Sequence, residues 1–321
     1  MKEIIIPFAT GLTIFMFGLQ LMRSGLENMA GERLRHALLQ FTRTPLRSFI
    51  TGIVSTAFLQ SSSAVTVLTI GFVNAGILTF AQTIGIILGT NIGTTVTTQI
   101  LALNIEDFAV PFIILGAVTY ILPFKGLSRL GLVIGGFGCI FLGMETMQWI
   151  TYPLKERGWI HWLMENGGHP ILTGIAAGML LTALIHSSSA CIAITMGFYA
   201  SGLLSLPFAI AVVFGSNIGT CVTALLASLG TNLASKRVAL SHLILNAAGV
   251  LAFAPLIPLI SQAAPYLSEN PATQIAHIQT LFNLICSLAV LPFSDAFAKG
   301  ITWLTPNKTV PVKWNGFPRN L

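Results

Sequence analysis

Two serine triplets, Ser61-Ser62-Ser63 and Ser187-Ser188-Ser189, stand 126 positions apart in otherwise apolar segments. Gln60 precedes the first and His186 the second, while Ala64 and Ala190 follow them. The stretch Thr90-Asn91-Ile92-Gly93-Thr94 returns at the same offset of 126 as Ser216-Asn217-Ile218-Gly219-Thr220. A helix that starts inside a membrane points unpaired N–H groups and a positive dipole end at whatever lies before it, and serine hydroxyls add donors without adding charge. Two such starts facing one another make a cradle for a tetrahedral oxyanion. The oxygens of Gln60, Thr90, Asn91, Thr94, Thr95, Ser216, Asn217 and Thr220 are neutral and hard, which suits a monovalent cation such as Na⁺, with His186 in the place of the second Gln. Gly93 and Gly219 are expected to break their helices there, freeing backbone carbonyls for the same cation.

A single Ser or Thr in a membrane helix usually bonds back to its own helix or packs at an interface, about three times in four. Twinned triplets reverse those odds. Ser187 beside His186 suggests an intramembrane serine hydrolase, but neighbours in sequence rarely face one another, no acid orients the histidine, and the first copy has Gln instead. No acidic residue falls within the motifs, which argues against a carboxylate proton relay and suits an anionic substrate. Cys139, Cys191, Cys221 and Cys286 are scattered without metal-ligand spacing and read as small core residues. His242 and His277 fall in apolar spans and read as interhelical contacts. Neither a cofactor nor a transition-metal site is expected.

The elements that hold these residues belong in a bilayer. Of 321 residues, 54% are hydrophobic and 8% charged, too apolar for a water-soluble globule. The net charge of +6 sits in loops between apolar runs, not in a stripe that would bind nucleic acid. Apolar runs at about 4–22, 109–122, 130–148, 237–260 and 273–292 read as membrane helices, the first being retained rather than cleaved as a signal peptide. Around 48–76 and 172–202 the Ser triplets interrupt the run, as the tip of a re-entrant hairpin would; around 80–103 and 206–229 the Asn-Ile-Gly-Thr stretch does so. Gly11-Leu12 through Phe17-Gly18 also matches Gly131-Leu132 through Phe137-Gly138, so the duplication takes in the first helix.

Three crossings per repeat put the second copy in the membrane upside down, and an extra C-terminal crossing makes seven. On that topology thirteen of the sixteen basic residues share one side, leaving Lys2, Lys155 and Arg157 opposite, which makes the richer side cytoplasmic. The expected architecture is an all-α polytopic membrane protein of two inverted repeats, each with a re-entrant hairpin and a discontinuous helix. Residues 1–125 form the first repeat, including an interfacial helix at about 24–44. Residues 126–300 form the second with the extra helix, and 301–321 a cytoplasmic tail. The N-terminus lies outside and the C-terminus inside the cell membrane. A homodimer is compatible with the sequence.

These residues resemble the type II sodium-dependent phosphate cotransporters and their bacterial relatives, whose mark is a Gln-Ser-Ser-Ser motif in each of two inverted repeats. The resemblance covers about residues 1–300. It implies Na⁺-coupled movement of inorganic phosphate, with phosphate near Ser61, Ser62, Ser63, Ser187, Ser188 and Ser189 and Na⁺ near the triplets and broken helices. Many bacterial relatives carry a regulatory domain after the transport core; this chain is expected to stop before one. His186 departs from the pattern, and either titrates during transport or braces its hairpin. Another anion, sulfate or a carboxylate, on the same scaffold is the alternative substrate, and a passive channel fits the paired motifs less well.

Overall fold

The computed structural model describes residues 2–42, 44–103, 105–158 and 168–306. Every regular element among them is helical. The helices are α1 (Lys2–Gln40), α2 (Pro45–Leu59), α3 (Ser62–Asn74), α4 (Phe80–Leu101), α5 (Ala109–Ile121), α6 (Lys125–Gln148) and α7 (Thr151–Arg157). After residues 159–167 come α8 (Pro170–Ile185), α9 (Ser188–Ala200), α10 (Leu206–Ala227), α11 (Leu233–Phe253), α12 (Ile257–Leu267), α13 (Pro271–Val290) and α14 (Ser294–Leu304).

The duplication read from sequence is carried into the fold. α2 and α8 have 15 and 16 residues, α3 and α9 have 13 each, and α4 and α10 have 22 each. α2 lies along α4 as α8 lies along α10, and α1 lies along α6. Between the copies the packing is reciprocal: α3 rests on α10, and α9 rests on α4. The largest apolar core joins α9, α10 and α13 to α1 and α6, and a second core holds α2, α3 and α4 against α11.

Six segments are long and apolar enough to cross a membrane: Lys2–Met29, Phe80–Leu101, Lys125–Arg157, Leu206–Ala227, Leu233–Leu267 and Pro271–Leu304. The outer surface agrees, since Ile121, Leu184 and Leu251 are 80%, 79% and 76% exposed, a cost in water that acyl chains remove. The expected crossing at 109–122 is only the 13-residue α5, which rises about 20 Å against the roughly 30 Å of a hydrocarbon core. It leans on α6 instead.

Three expectations are corrected. The helices carrying Asn-Ile-Gly-Thr are not discontinuous: α4 runs unbroken through Thr90–Thr95 and α10 through Ser216–Thr220. Gly93 and Gly219 serve packing, not breaks. A Cβ on Gly93 would press on Thr56 Cβ of α2 at 2.6 Å, and one on Gly219 would press on Thr182 Cβ of α8 at 2.8 Å. Secondly, residues 24–40 form no separate interfacial helix but continue α1 to Gln40, with Leu38 fully buried in the second core. Thirdly, residues 301–304 finish α14 rather than beginning a tail, and 307–321 lie outside the described residues.

Candidate functional site

The breaks in the chain fall at the serine triplets. α2 ends at Leu59, Gln60 turns left-handed at φ 51°, and Ser61 returns to extended backbone at φ −155° as the N-cap of α3. His186, at φ 56°, and Ser187, at φ −147°, repeat this between α8 and α9. Among the described residues only Gln60 and His186 take positive φ without being glycine, a conformation that costs roughly 1–3 kcal/mol. Such strain persists only where the surroundings enforce it, and its twinning marks both tips as built features.

Each cap fixes the hydroxyls that follow it. Ser61 Oγ accepts from the Ala64 N–H at 3.1 Å, and Ser187 Oγ from the Ala190 N–H at 3.3 Å. The N–H groups of Ser62 and Ser63, and of Ser188 and Ser189, are then first-turn donors without an intrahelical acceptor. Ser62, Ser187, Ser188 and Ser189 are buried, and Ser61 and Ser63 are half-buried. Each triplet therefore offers amide and hydroxyl donors at a positive helix end, largely shielded from solvent. No hydrogen bond joins the two triplets among the described residues; the fold brings each triplet's helix against the other copy's Asn-Ile-Gly-Thr helix instead.

The residues before the triplets have corresponding partners that the sequence reading missed. Gln60 Oε1 accepts from Thr97 Oγ1 at 2.7 Å, and His186 Nδ1 lies 3.4 Å from Thr223 Oγ1. Thr97 and Thr223 are themselves 126 apart, so the repeat offset alone could have found them. The tips differ in strength. Gln60 is buried, its Nε2 also bonds the Ala57 carbonyl, and its own carbonyl accepts from Arg23 Nε at 3.0 Å. His186 is exposed, and among the described residues its side chain has only the long contact to Thr223. Substituting glycine, which relieves the left-handed turn, is accordingly expected to act oppositely at the two tips. His186→Gly should leave the melting temperature of the purified protein unchanged or higher. Gln60→Gly should lower it by a few degrees, roughly the loss of one or two buried hydrogen bonds. Equal shifts would mean the two side chains do equal work.

The Asn-Ile-Gly-Thr residues keep their helices intact by bonding backward. Thr90, Thr94 and Thr95 donate to the carbonyls of Ile87, Thr90 and Ile92 at 2.8, 2.9 and 2.8 Å. Ser216 and Thr220 donate to Val213 and Ser216 at 2.7 and 3.0 Å. Their hydroxyl protons are thus spent locally, and their oxygen lone pairs stay available to a cation. The asparagines diverge: Asn91 Nδ2 donates to Asn246 Oδ1 of α11 at 2.8 Å, whereas Asn217 Nδ2 donates to the Val213 carbonyl at 2.9 Å. His277 makes an interhelical contact, with Nδ1 3.2 Å from Gln99 Nε2. No group of three His, Cys, Asp or Glu residues able to hold a metal ion occurs among the described residues.

Residues 14–149 and 157–289 match the Na⁺/Pi-cotransporter family. The chain belongs to that family. It is 38% identical over 306 residues to the uncharacterized protein YqeW of Bacillus subtilis, covering 95% of this chain and 99% of that one. It is 28% identical over 291 residues to the putative inorganic phosphate export protein YjbB of Escherichia coli K12, covering 90% of this chain and 54% of that relative. A 52-residue stretch is 44% identical to the sodium-dependent phosphate transport protein 2A of Rattus norvegicus, covering 16% of this chain and 8% of the relative. No solved structure gives a significant match. The family and the names of the Escherichia coli and rat relatives point to transporters rather than enzymes, and with six apolar spans the chain is a multi-pass membrane protein.

Proposed function

We propose that this protein carries inorganic phosphate across the cell membrane in a cycle coupled to Na⁺. The observation that carries the reading is the twinned tip: two left-handed breaks, each followed by a serine-capped helix start whose free donors are largely shielded from solvent. In this reading α2–α3 and α8–α9 are re-entrant hairpins of two inverted repeats, with the N-terminus outside and the C-terminus in the cytoplasm. Ser61, Ser62, Ser63 and their counterparts Ser187, Ser188 and Ser189 donate to phosphate oxygens, the hydroxyl protons of the capping serines included. Na⁺ takes the neutral oxygens of Gln60, Thr90, Asn91, Thr94, Thr95, Ser216, Asn217 and Thr220, beside His186.

Alternating access follows from the reciprocal packing. Each capped helix leans on the other copy's long helix, so rocking one repeat against the other opens the seam on one side as it closes on the other. Bound Na⁺ lowers the electrostatic cost of carrying an anion through the low-dielectric core. Direction is set by the gradients, so import and the export named for the Escherichia coli relative use the same machinery.

The test is uptake of radiolabelled phosphate into proteoliposomes under an inward Na⁺ gradient, with K⁺ replacing Na⁺ as control. Na⁺-dependent accumulation that excess sulfate and succinate leave intact is the expected outcome. Inserted, folded protein that accumulates no phosphate would overturn it.

A further inference from the structure

Two buried amides outside both duplicated motifs lie in the seam between the repeats. α13 is held to α4 by Gln99 Nε2 donating to Thr280 Oγ1 at 2.7 Å and by Ser287 Oγ donating to the Leu88 carbonyl at 3.0 Å. The two links run antiparallel, so α13 residues between 280 and 287 stand level with α4 residues between 88 and 99. On another face of α13, Phe282 stacks on Phe214 of α10 with ring centroids 4.4 Å apart. At 100° per residue, Gln279 and Asn283 fall between these two faces. They therefore point into the seam between α4 and α10. Thr95, on the α4 stripe that includes Leu88 and Gln99, is level with Asn283.

Both amides are 1% exposed. Neither Oδ1 nor Nδ2 of Asn283 has a hydrogen-bond partner among the described residues, and Gln279 Oε1 also lacks one. Buried polar atoms in native proteins are overwhelmingly paired, so a wholly unpaired Asn is a group waiting for a ligand. An apolar helix face would have accepted Leu at either position without that cost. Gln279 and Asn283 are one turn apart, which places their side chains next to each other on one face of α13.

We infer that Gln279 Oε1 and Asn283 Oδ1, together with Thr95 Oγ1, form a binding site for a monovalent cation. The ligands are hard neutral oxygens, and α4, α9, α10 and α13 contain no Asp or Glu. A divalent ion would be left with its charge uncompensated in a low-dielectric seam, whereas Na⁺ suits an uncharged oxygen set. Because α13 lies outside the duplicated motifs, this site has no twin in the first repeat. It rests on the reading of the protein as Na⁺-coupled.

The experiment has two arms. Na⁺-induced stabilisation of purified protein is measured without phosphate, with choline replacing Na⁺, for wild type, Asn283→Ala, Asn283→Asp and Gln279→Leu. The Na⁺ activation of phosphate uptake is then measured in proteoliposomes. Asn283→Ala and Gln279→Leu should shrink the Na⁺-dependent rise in melting temperature and raise half-activation by Na⁺ roughly fivefold or more, a loss on the scale of one ligand. Asn283→Asp, which keeps an oxygen ligand and adds charge, should retain the Na⁺ response. Na⁺ stabilisation and half-activation within twofold of wild type in a folded Asn283→Ala protein would overturn the site, as would loss of the Na⁺ response in Asn283→Asp with the fold intact. A wild type that is stabilised by Na⁺ yet transports no phosphate would sink the transport reading and leave this site standing.

Discussion

Arg23→Ala is expected to cut phosphate uptake roughly tenfold to a hundredfold while the protein still inserts in the membrane. Arg23 Nε donates to the Gln60 carbonyl at 3.0 Å, across 37 residues, at the C-terminal end of α2. A guanidinium there meets the negative end of the helix dipole as well as the carbonyl itself. Gln60 is the strained left-handed residue that aims the capped start of α3. Removing the guanidinium leaves that carbonyl without its donor, and the tip drifts from the geometry that presents the donors of Ser62 and Ser63. A bond of this charge-assisted kind is worth about 1.5–3 kcal/mol, which gives the expected range. Arg23→Lys keeps charge but not the planar fork and should recover only part of the rate. The check is initial uptake in proteoliposomes, normalised to inserted protein; an Arg23→Ala rate within twofold of wild type would show that the bond carries no function. Among the described residues the second tip has no such tie. At the 120-residue offset that aligns α1 with α6, Gly143 stands where Arg23 does.

That asymmetry was out of reach of the sequence, because Arg23 counts there as one loop cation among many. What sequence could show was the offset of 126, and with it the pairing of α2 with α8, α3 with α9 and α4 with α10. It also placed helix starts at the serine triplets, though it read every hydroxyl there as a donor, whereas those of Ser61 and Ser187 accept as N-caps. The breaks expected at Asn-Ile-Gly-Thr are absent for a physical reason. Polar residues interrupt hydropathy equally at the Ser triplets and at Asn-Ile-Gly-Thr, but threonines that donate to carbonyls three or four residues back stay inside a helix. Glycine at 93 and 219 suggested a turn, while its use is the close approach of α2 and α8. Of the residues that do turn, Gln60 has no preference for left-handed backbone and His186 has a modest one, so local propensity does not announce the pair. The polar stretch after Arg23 has helical spacing, which sequence reads as a separate surface helix because hydropathy drops; nothing in it ends a helix, and α1 runs on. Asn246, Gln279 and Asn283 lie outside the duplicated motifs, and only the packing of α11 and α13 against α4 gives them meaning.

The serines themselves divide into two roles, and substitution separates them. Ser61 and Ser187 cap α3 and α9 through their oxygens, so alanine at either position should cost about 1 kcal/mol of stability, read as a lower melting temperature. Ser62 and Ser188 sit one residue further on, at the first helical position, where their hydroxyls bond nothing in their own helices. Alanine there should leave the melting temperature nearly unchanged. It should instead raise the phosphate KM roughly tenfold to a hundredfold, because each change removes one hydrogen bond to a charged oxygen, about 1.5–3 kcal/mol. If the two triplets hold one phosphate between them, Ser62→Ala and Ser188→Ala act on the same bound anion from different helices. The double variant should then depart from the product of the single effects, since the two hydroxyls share the phosphate as a partner. Uptake kinetics over a range of phosphate at saturating Na⁺, set beside melting curves of the same preparations, provide both readouts. Normal KM in both single variants would remove the cradle from the transport cycle. A raised KM at one triplet only would place phosphate against a single hairpin and leave the other to the cation.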